Sequence, residues 1–330
     1  QNPELASIVL DEGERLRPVD RESIERSGRE LIKASTSYSH SLDRLRFLRQ
    51  RWMLPITVND LCGVWEQEAV WRALSDLADA LITLAVKVAW EHFAREREIE
   101  GGCPLLIVAF GKLGGHELNY SSDIDLVYVA PDDLSEDMWQ HAARFCETLG
   151  RAISDRMGRG LLYRVDLRLR PYGKAGPVLS SMGGVESYYK LHAESWELQA
   201  LIRSRAICGP TDLAERWDAV RNEHCFKPVM SEAVLEQLLD NRSRTEAHAG
   251  PNDLKRGKGG IRDVEFLTQI LQMLHGKKHE ATRIAPTCQA LRSLATEGLL
   301  DPAAAQALVE GYTFLRKLEH RCQLEGEQQT

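Results

Sequence analysis

The sequence predicts an α+β protein: a small sheet within residues 101–210, flanked by an N-terminal helical region (1–100) and a C-terminal helical bundle (211–330). Three observations carry this reading. Val70, Leu74, Leu77, Leu81, Leu84 and Val88 recur at spacings of three and four, which lays one apolar stripe along a long helix. Two short apolar runs, 104-PLLIVAF-110 and 124-IDLVYVA-130, read as strands. Helical spacing returns after Ile261, in Val264, Leu267, Ile270, Leu271 and Leu274.

Taken in order, residues 1–100 read as helical throughout. The stretch 41-SLDRLRFLRQRWMLPI-56 predicts a helix that is strongly basic on its polar side and stops near Pro55. A Gly101-Gly102 break precedes the first strand, and 131-PDD-133 ends the second. Residues 138–158 predict a helix closed by Gly158 and Gly160. In 162-LYRVDLRLR-170, Tyr163, Val165, Leu167 and Leu169 alternate with Arg164, Asp166, Arg168 and Arg170, as in a third strand. Beyond 211 the chain reads as helical, and the glycine-rich break 255-KRGKGG-260 opens the helix at Ile261.

At 330 residues the chain has room for two or three domains, each with its own core. Its 43% apolar and 28% charged residues are those of a soluble globular protein. A net charge of −7 and the lack of basic–aromatic interleaving argue against nucleic acid as a partner. Seven scattered cysteines without CxxC spacing predict reduced thiols in a cytoplasm. Asp76, Asp79 and Lys87 interrupt the longest apolar helix, so no membrane span is expected. The opening QNPELAS and the close GEQQT predict a segment cut from a longer protein.

Asp123 and Asp125 stand one residue apart at the start of an apolar strand, so both carboxylates point to one face. Like charges so placed repel, and desolvation adds to the cost. A bound hard cation, Mg²⁺ or Mn²⁺, relieves both. Asp166, on the polar face of the third strand, is a candidate third ligand. Three carboxylates can hold two divalent ions about 4 Å apart for displacement at phosphorus. The competing reading is structural, with Asp123 capping a turn after Ser121-Ser122 and Asp125 paired to an arginine. Upstream, Gly114-Gly115 falls where a strand is expected to give way to a short helix, His116 to Tyr120, and such a turn offers backbone N–H groups to a phosphate. Lys112 lies in this turn, but GxxxxGK[ST] is absent, so it is no P-loop.

Gly111, eleven further residues, then Asp123-Ile-Asp125, with Asp166 on a later strand, is the pattern of the nucleotidyltransferase (polymerase-beta-like) fold. More narrowly, GKLGGHELNYSSDIDLVYV, VDLRLRPYGKAGPVLSS, WELQALIRSRAICG and KRGKGGIRDVEF, in order between about 104 and 270, resemble the glutamine synthetase adenylyltransferase (glutamate–ammonia-ligase adenylyltransferase) family. The resemblance implies two metal ions on Asp123, Asp125 and Asp166, with nucleotide (AMP, ADP or ATP) and orthophosphate as ligands. It implies glutamine synthetase and the PII signal protein as partners. Gly114, Gly115, Ser122, Lys112, Arg168, Arg170, Lys258 and Arg262 are then the candidate nucleotide- and phosphate-binding residues, with Lys255 beside them.

Enzymes of this family carry two similar units. The N-terminal one removes AMP from a glutamine synthetase tyrosine by phosphorolysis; the C-terminal one attaches AMP from ATP. Arg262 in GGIRDVEF, the longer stretch 254-LKRGKGGIRDVEF-266 and the tail 318-LEHRCQLEGEQQT-330 are similar to the removing half, whereas WELQALIRSR has some likeness to the adding half. The removing half is the expectation, the adding half the alternative, and a non-catalytic module that only binds PII or glutamine synthetase a further one. A transferase acting on RNA ends or a small molecule fits the same fold. Asp263 and Glu265 suit a helix start, Trp196 and Glu197 are candidate pocket walls, and His275 with His279 read as exposed helix histidines without a third ligand.

Overall fold

The computed structural model describes residues 19–226, 232–250 and 253–326. The helix expected over 1–18 and most of the closing GEQQT lie outside those residues. Three helices lead: α1 (Arg21–Lys33), α2 (Tyr38–Leu61) and α3 (Gln67–Arg95). Asp20 and Ser37 cap the first two, accepting from the amides of Ser23 at 2.9 Å and His40 at 3.1 Å. The stripe read along α3 is buried, but so are Ala73, Ala78, Ala80, Ala85 and Ala89 around it. An enclosed helix needs apolar residues on every side, and α3 packs against α1 and α2 as well as the sheet.

Two expectations for α2 fail. The helix continues through Pro55 to Leu61. Trp52, Pro55 and Ile56 are buried on the core side, and Asn59 Nδ2 donates to the Pro55 carbonyl at 2.9 Å, so packing outweighs the lost helical bond. Nor is its basic side wholly solvated. Arg46 is 1% exposed and donates to the carbonyls of Gly160, Leu42, Ala152 and Asp155 at 2.7–3.1 Å. It ties α2 to the end of α5 (Glu136–Ser154) and the loop beyond.

The sheet contains β1 (Leu106–Phe110), β2 (Ile124–Ala130), β3 (Val165–Asp166), β4 (Leu179–Ser181) and β5 (Arg205–Cys208). β1 runs antiparallel to β2 and β5, and β3 and β4 pair in parallel with successive halves of β2. Alternation along β1 and β2 feeds two cores. Ile107, Ala109, Ile124, Leu126 and Tyr128 face the N-terminal helices and α5. Leu106, Val108, Phe110, Val127 and Val129 join the core beneath α6 (Met182–Leu191), α7 (Ser195–Leu201) and α8 (Thr211–Cys225). Strands covered on both faces read as continuous apolar runs, which is why these two are visible in the sequence.

The third strand is shorter than the alternation predicts. Leu162 and Tyr163 are both buried, and 167–170 is a turn in which Arg170 donates to the carbonyls of Leu167 at 2.6 Å, Gly176 at 3.1 Å and Lys174 at 3.2 Å. Its guanidinium substitutes for strand pairing. β4 and β5 are too short to give a periodic signal.

α9 (Glu232–Ala247), α10 (Ile261–His275), α11 (Thr287–Thr296) and α12 (Pro302–Gly326) complete the fold. α10 starts at the expected residue; Val264 and Ile270 are buried, whereas Leu267 is 39% exposed. Ile261, Val264, Leu291, Val309 and Tyr312 enclose Trp71 of α3, so the last helices share a core with the first region. All seven cysteines are free. No described helix is long and apolar enough to cross a membrane.

Candidate active site

Between β1 and β2 the chain turns at Gly111, coils through a one-turn helix, α4 (Gly111–Gly114), and reaches Asp123 by an irregular loop. Gly111 has φ +58°, and a Cβ there would stand 2.6 Å from Asp125 Oδ2. Only glycine lets the turn pass over that carboxylate. Gly114 and Gly115 answer a different demand. A Cβ would meet the Arg203 carbonyl at 2.0 Å and the Arg203 guanidinium at 2.7 Å, respectively. Neither lines the cavity described below, and the Gly115 amide is committed to the Gly111 carbonyl at 2.9 Å. The expected helix from His116 to Tyr120 is also absent, the turn of helix lying earlier, at Gly111–Gly114. The pair makes room for Arg203, and the structure gives it no path to a phosphate.

The loop is fixed by α12. Lys112 donates to Glu319 at 2.7 Å, Asn119 accepts from Arg316 at 2.6 Å, and the Ser121 amide donates to Gln323 at 3.1 Å. Glu117, 2% exposed, accepts from Arg203 at 2.5 Å, the Thr287 amide at 2.6 Å and the Tyr312 hydroxyl at 2.8 Å. Burial alone would raise the Glu319 carboxyl; Lys112 and Arg316 outweigh it and hold it down at about 2. Tyr312, Arg316, Glu319 and Gln323 lie at spacings of three and four, forming a polar stripe on one helix face. That stripe is the signal in the sequence from which this anchoring was readable.

β2 and β3 then place the acids. Asp125 and Asp166 are register partners on adjacent parallel strands, and Asp123 immediately precedes β2. Burial, followed by the charges of Asp166 and Asp123, pushes the Asp125 carboxyl up to about 7. Asp123 accepts from Arg164 at 2.5 Å, so it is this aspartate, not Asp125, that has the arginine partner. Asp166 accepts from Arg168, chiefly for which its carboxyl lies below the usual range. A crowded, partly buried, all-carboxylate set with one member held far from its ordinary pKa suits a hard divalent cation.

These carboxylates line a cavity of about 870 Å³, within the range of nucleotide-sized sites. Lys112, Ser122, Arg168 and Arg262 of the sequence candidates lie on its wall, as do Trp196, Lys255 and Glu265. Lys112 is bound to Glu319, and Glu265 to Arg203 at 2.6 Å. Among the described residues, neither Lys255 nor Arg262 forms an ion pair, which leaves two cations facing the acids. Arg170 and Lys258 are not brought to the wall; Arg170 serves its turn and Lys258 is exposed. Asp263 braces the glycine loop, accepting from the Gly259 amide at 2.6 Å and from Arg242. Glu197 closes a capping box on α7 and accepts from Tyr188 at 2.6 Å. The wall also holds Gln199, Arg203, Gln269, Glu319 and Gln323, whose convergence depends on contacts distant in sequence.

Among the described residues, the trio whose ligand atoms lie within 4.8 Å of one another is Asp76, Asp79 and His116, not the cavity carboxylates. Arg205 lies 2.7 Å from Asp79 and Arg21 3.9 Å, and burial with these arginines pushes His116 down to about 3. Guanidinium charge already fills the place of a cation there, so the trio is an ion-pair cluster.

A family model described as glutamate-ammonia ligase adenylyltransferase matches residues 1–220, and one described as PII-uridylyltransferase matches residues 230–330. Three similar curated proteins are each named bifunctional glutamine synthetase adenylyltransferase/adenylyl-removing enzyme. That of Cutibacterium acnes is 34% identical over 89% of this chain and 31% of its own length. That of Nitrosomonas eutropha is 36% identical over 87% and 33%, and that of Rhodopseudomonas palustris 33% over 91% and 32%. The chain spans about a third of the length of these relatives. On these matches and this geometry, the chain belongs to the glutamate-ammonia ligase adenylyltransferase family.

Proposed function

We propose that this chain is a divalent-metal-dependent nucleotidyltransferase unit that removes AMP from a tyrosine of glutamine synthetase by phosphorolysis. The observation that carries the reading is the cavity itself, lined by Asp123, Asp125 and Asp166 together with Lys255 and Arg262, which form no ion pair among the described residues. The relatives' printed names supply the substrate protein and both directions of reaction.

Asp123, Asp125 and Asp166 would hold Mg²⁺ or Mn²⁺, which supplies positive charge to phosphoryl oxygens. The chain's own residues do the remaining work. Lys255 and Arg262 draw orthophosphate toward a phosphorus that is already anionic. An orthophosphate oxygen bonds to that phosphorus, the bond to the tyrosine oxygen breaks, the proton of the incoming phosphate hydroxyl passes to the tyrosine oxygen, and the products are ADP and free tyrosine. Orthophosphate is ionised near neutral pH, so no strong base has to be found in the cavity. The likeness of residues 230–330 to PII-uridylyltransferase supports the PII signal protein as a partner of the helical part. The free thiols fit a cytoplasmic setting.

The test uses two reactions. Adenylylated glutamine synthetase with Mg²⁺ and orthophosphate should yield ADP; unmodified glutamine synthetase with labelled ATP should gain no label. Label transfer in the second with no ADP in the first reverses the direction. Silence in both, with the chain folded, overturns the enzymatic reading. PII added to the first reaction should change the rate of ADP release; no change and no binding removes it as a partner.

A further inference from the structure

Lys112 stands in α4, one residue beyond the Gly111 turn that passes over Asp125, and it lines the cavity. Its side chain is 16% exposed and donates to Glu319 at 2.7 Å. Charged groups from three other elements face it: Glu319 and Arg316 of α12, Lys255 of the glycine loop and Glu265 of α10. Burial, with the charges of Arg316 and Lys255, outweighs Glu319 and lowers its ammonium to about 7. The reaction has use for such a group. In an in-line displacement the incoming phosphate and the departing tyrosine oxygen stand on opposite sides of phosphorus, so the proton that passes between them needs a carrier. Among the described residues, no histidine, cysteine or tyrosine lines the cavity. Its arginines do not give up their protons. Glu265 and Glu319 have none to give, each held at about 2 by the cations beside it. With Asp123, Asp125 and Asp166 on the metal and Lys255 on orthophosphate, Lys112 is the acid that remains.

We propose that Lys112 is the general acid of the reaction, handing a proton to the tyrosine oxygen as the bond from that oxygen to phosphorus breaks. The inference rests on the phosphorolysis reading above and adds the residue that carries its proton. The electron pair of the broken bond stays on the tyrosine oxygen and forms the new O–H bond. The amine left on Lys112 takes up the proton that the phosphate hydroxyl releases, which restores the ammonium at the end of each turnover. A tyrosine hydroxyl has a pKa of about 10, so an ammonium lowered toward neutrality gives its proton downhill. Phosphate titrates close to the same range, so the return step is near balance. The contact with Glu319 uses one of three N–H donors and leaves two for the cavity. Glu319 thereby fixes the direction of the side chain without consuming the proton it carries.

The test varies the leaving group. Adenylylated glutamine synthetase is prepared with tyrosine or with 3,5-difluorotyrosine, a more acidic phenol, at the modified position. ADP release by the chain is followed with Mg²⁺ and saturating orthophosphate from about pH 6 to 9. Loss of the Lys112 proton should lower kcat/KM for the tyrosine substrate as pH rises through about 7, while the fluorinated substrate leaves without help. The ratio of the two rates cancels the ionisation of phosphate itself, and it should fall about tenfold for each pH unit above that point. Lys112→Arg keeps a cation against Glu319 but gives up no proton. It should cut kcat about a hundredfold or more with tyrosine and less than about tenfold with difluorotyrosine, at an unchanged orthophosphate KM. Should that variant fail to fold, the wild-type ratio decides alone. A ratio that does not change with pH overturns the inference and leaves the proposed function standing. So does a folded Lys112→Arg chain that loses nothing, or that loses equally on both substrates. A wild-type chain that releases ADP from neither substrate overturns both.

Discussion

Glu117 is the residue on which the loop before the carboxylates depends, and removing its charge is the sharpest test of how that loop is held. The substitution is Glu117→Gln, which keeps the shape. Glu117 is 2% exposed and accepts from Arg203, the Thr287 amide, the Thr287 hydroxyl and the Tyr312 hydroxyl at 2.5, 2.6, 3.1 and 2.8 Å. An amide turns one acceptor into a donor facing these donors and leaves Arg203 with a single carboxylate. Breaking a buried ion pair by losing one partner costs about 3–5 kcal/mol. Arg203 retains Glu265 at 2.6 Å, and Arg316 retains Glu319 at 3.2 Å, which places the cost at the lower end. A loss of about 3 kcal/mol is a large part of a typical stability of roughly 5–15 kcal/mol. With an unfolding entropy of about 2.1 cal/mol/K per residue, it lowers the midpoint of a chain this size by about 4 °C. Urea unfolding followed by tryptophan fluorescence reads the loss. Adding Tyr312→Phe should show coupling, because that hydroxyl donates to the same carboxylate. A loss below about 1 kcal/mol, the range of ordinary surface changes, would refute the claim that this carboxylate anchors the loop.

Two further perturbations separate other parts of the account. Burial raises the Asp76 carboxyl to about 6, with Asp79, Arg72, Arg205 and Arg21 around it. The folded pKa lies above the unfolded value of about 3.9, so the contribution of this group is fully present below that value and is lost as pH rises through 6. Asp76→Asn should therefore gain about 1 kcal/mol relative to wild type between pH 4 and 7.5, after allowance for solvent screening of a partly exposed group. Urea midpoints at the two pH values read this, and a difference independent of pH would count against it. Arg262→Ala should raise the orthophosphate KM of ADP release about tenfold or more, as expected for a lost charge-assisted contact, with a smaller change for the protein substrate. An unchanged phosphate KM would remove Arg262 from the phosphate-binding wall.

Much of the fold is legible in the sequence because its cause is local or periodic. β1 and β2 are continuous apolar runs since both faces are covered, and α10 begins at Ile261 because the glycine loop stops there. Asp123 and Asp125 stand out because two acids one residue apart at an apolar strand need a reason. Where local rules mislead, a distant partner has taken over. Packing overrides Pro55, and the Arg170 guanidinium turns an alternating segment out of the sheet. Gly114-Gly115 looks like an anion-binding turn until Arg203 is seen filling the space, and that arginine is distant in sequence. Gln199 and Gln269 meet at the cavity through helix packing, which leaves no mark on any one stretch of chain.

The central claim is that Asp123, Asp125 and Asp166 form the metal-binding floor of a nucleotide site. Calorimetric titration of Mn²⁺ into the chain, alone and with ADP, measures it directly. The account predicts binding that ADP strengthens and that Asp125→Asn or Asp166→Asn weakens by an order of magnitude or more, with the fold retained by circular dichroism. Mn²⁺ and ADP binding left intact by both substitutions would contradict it.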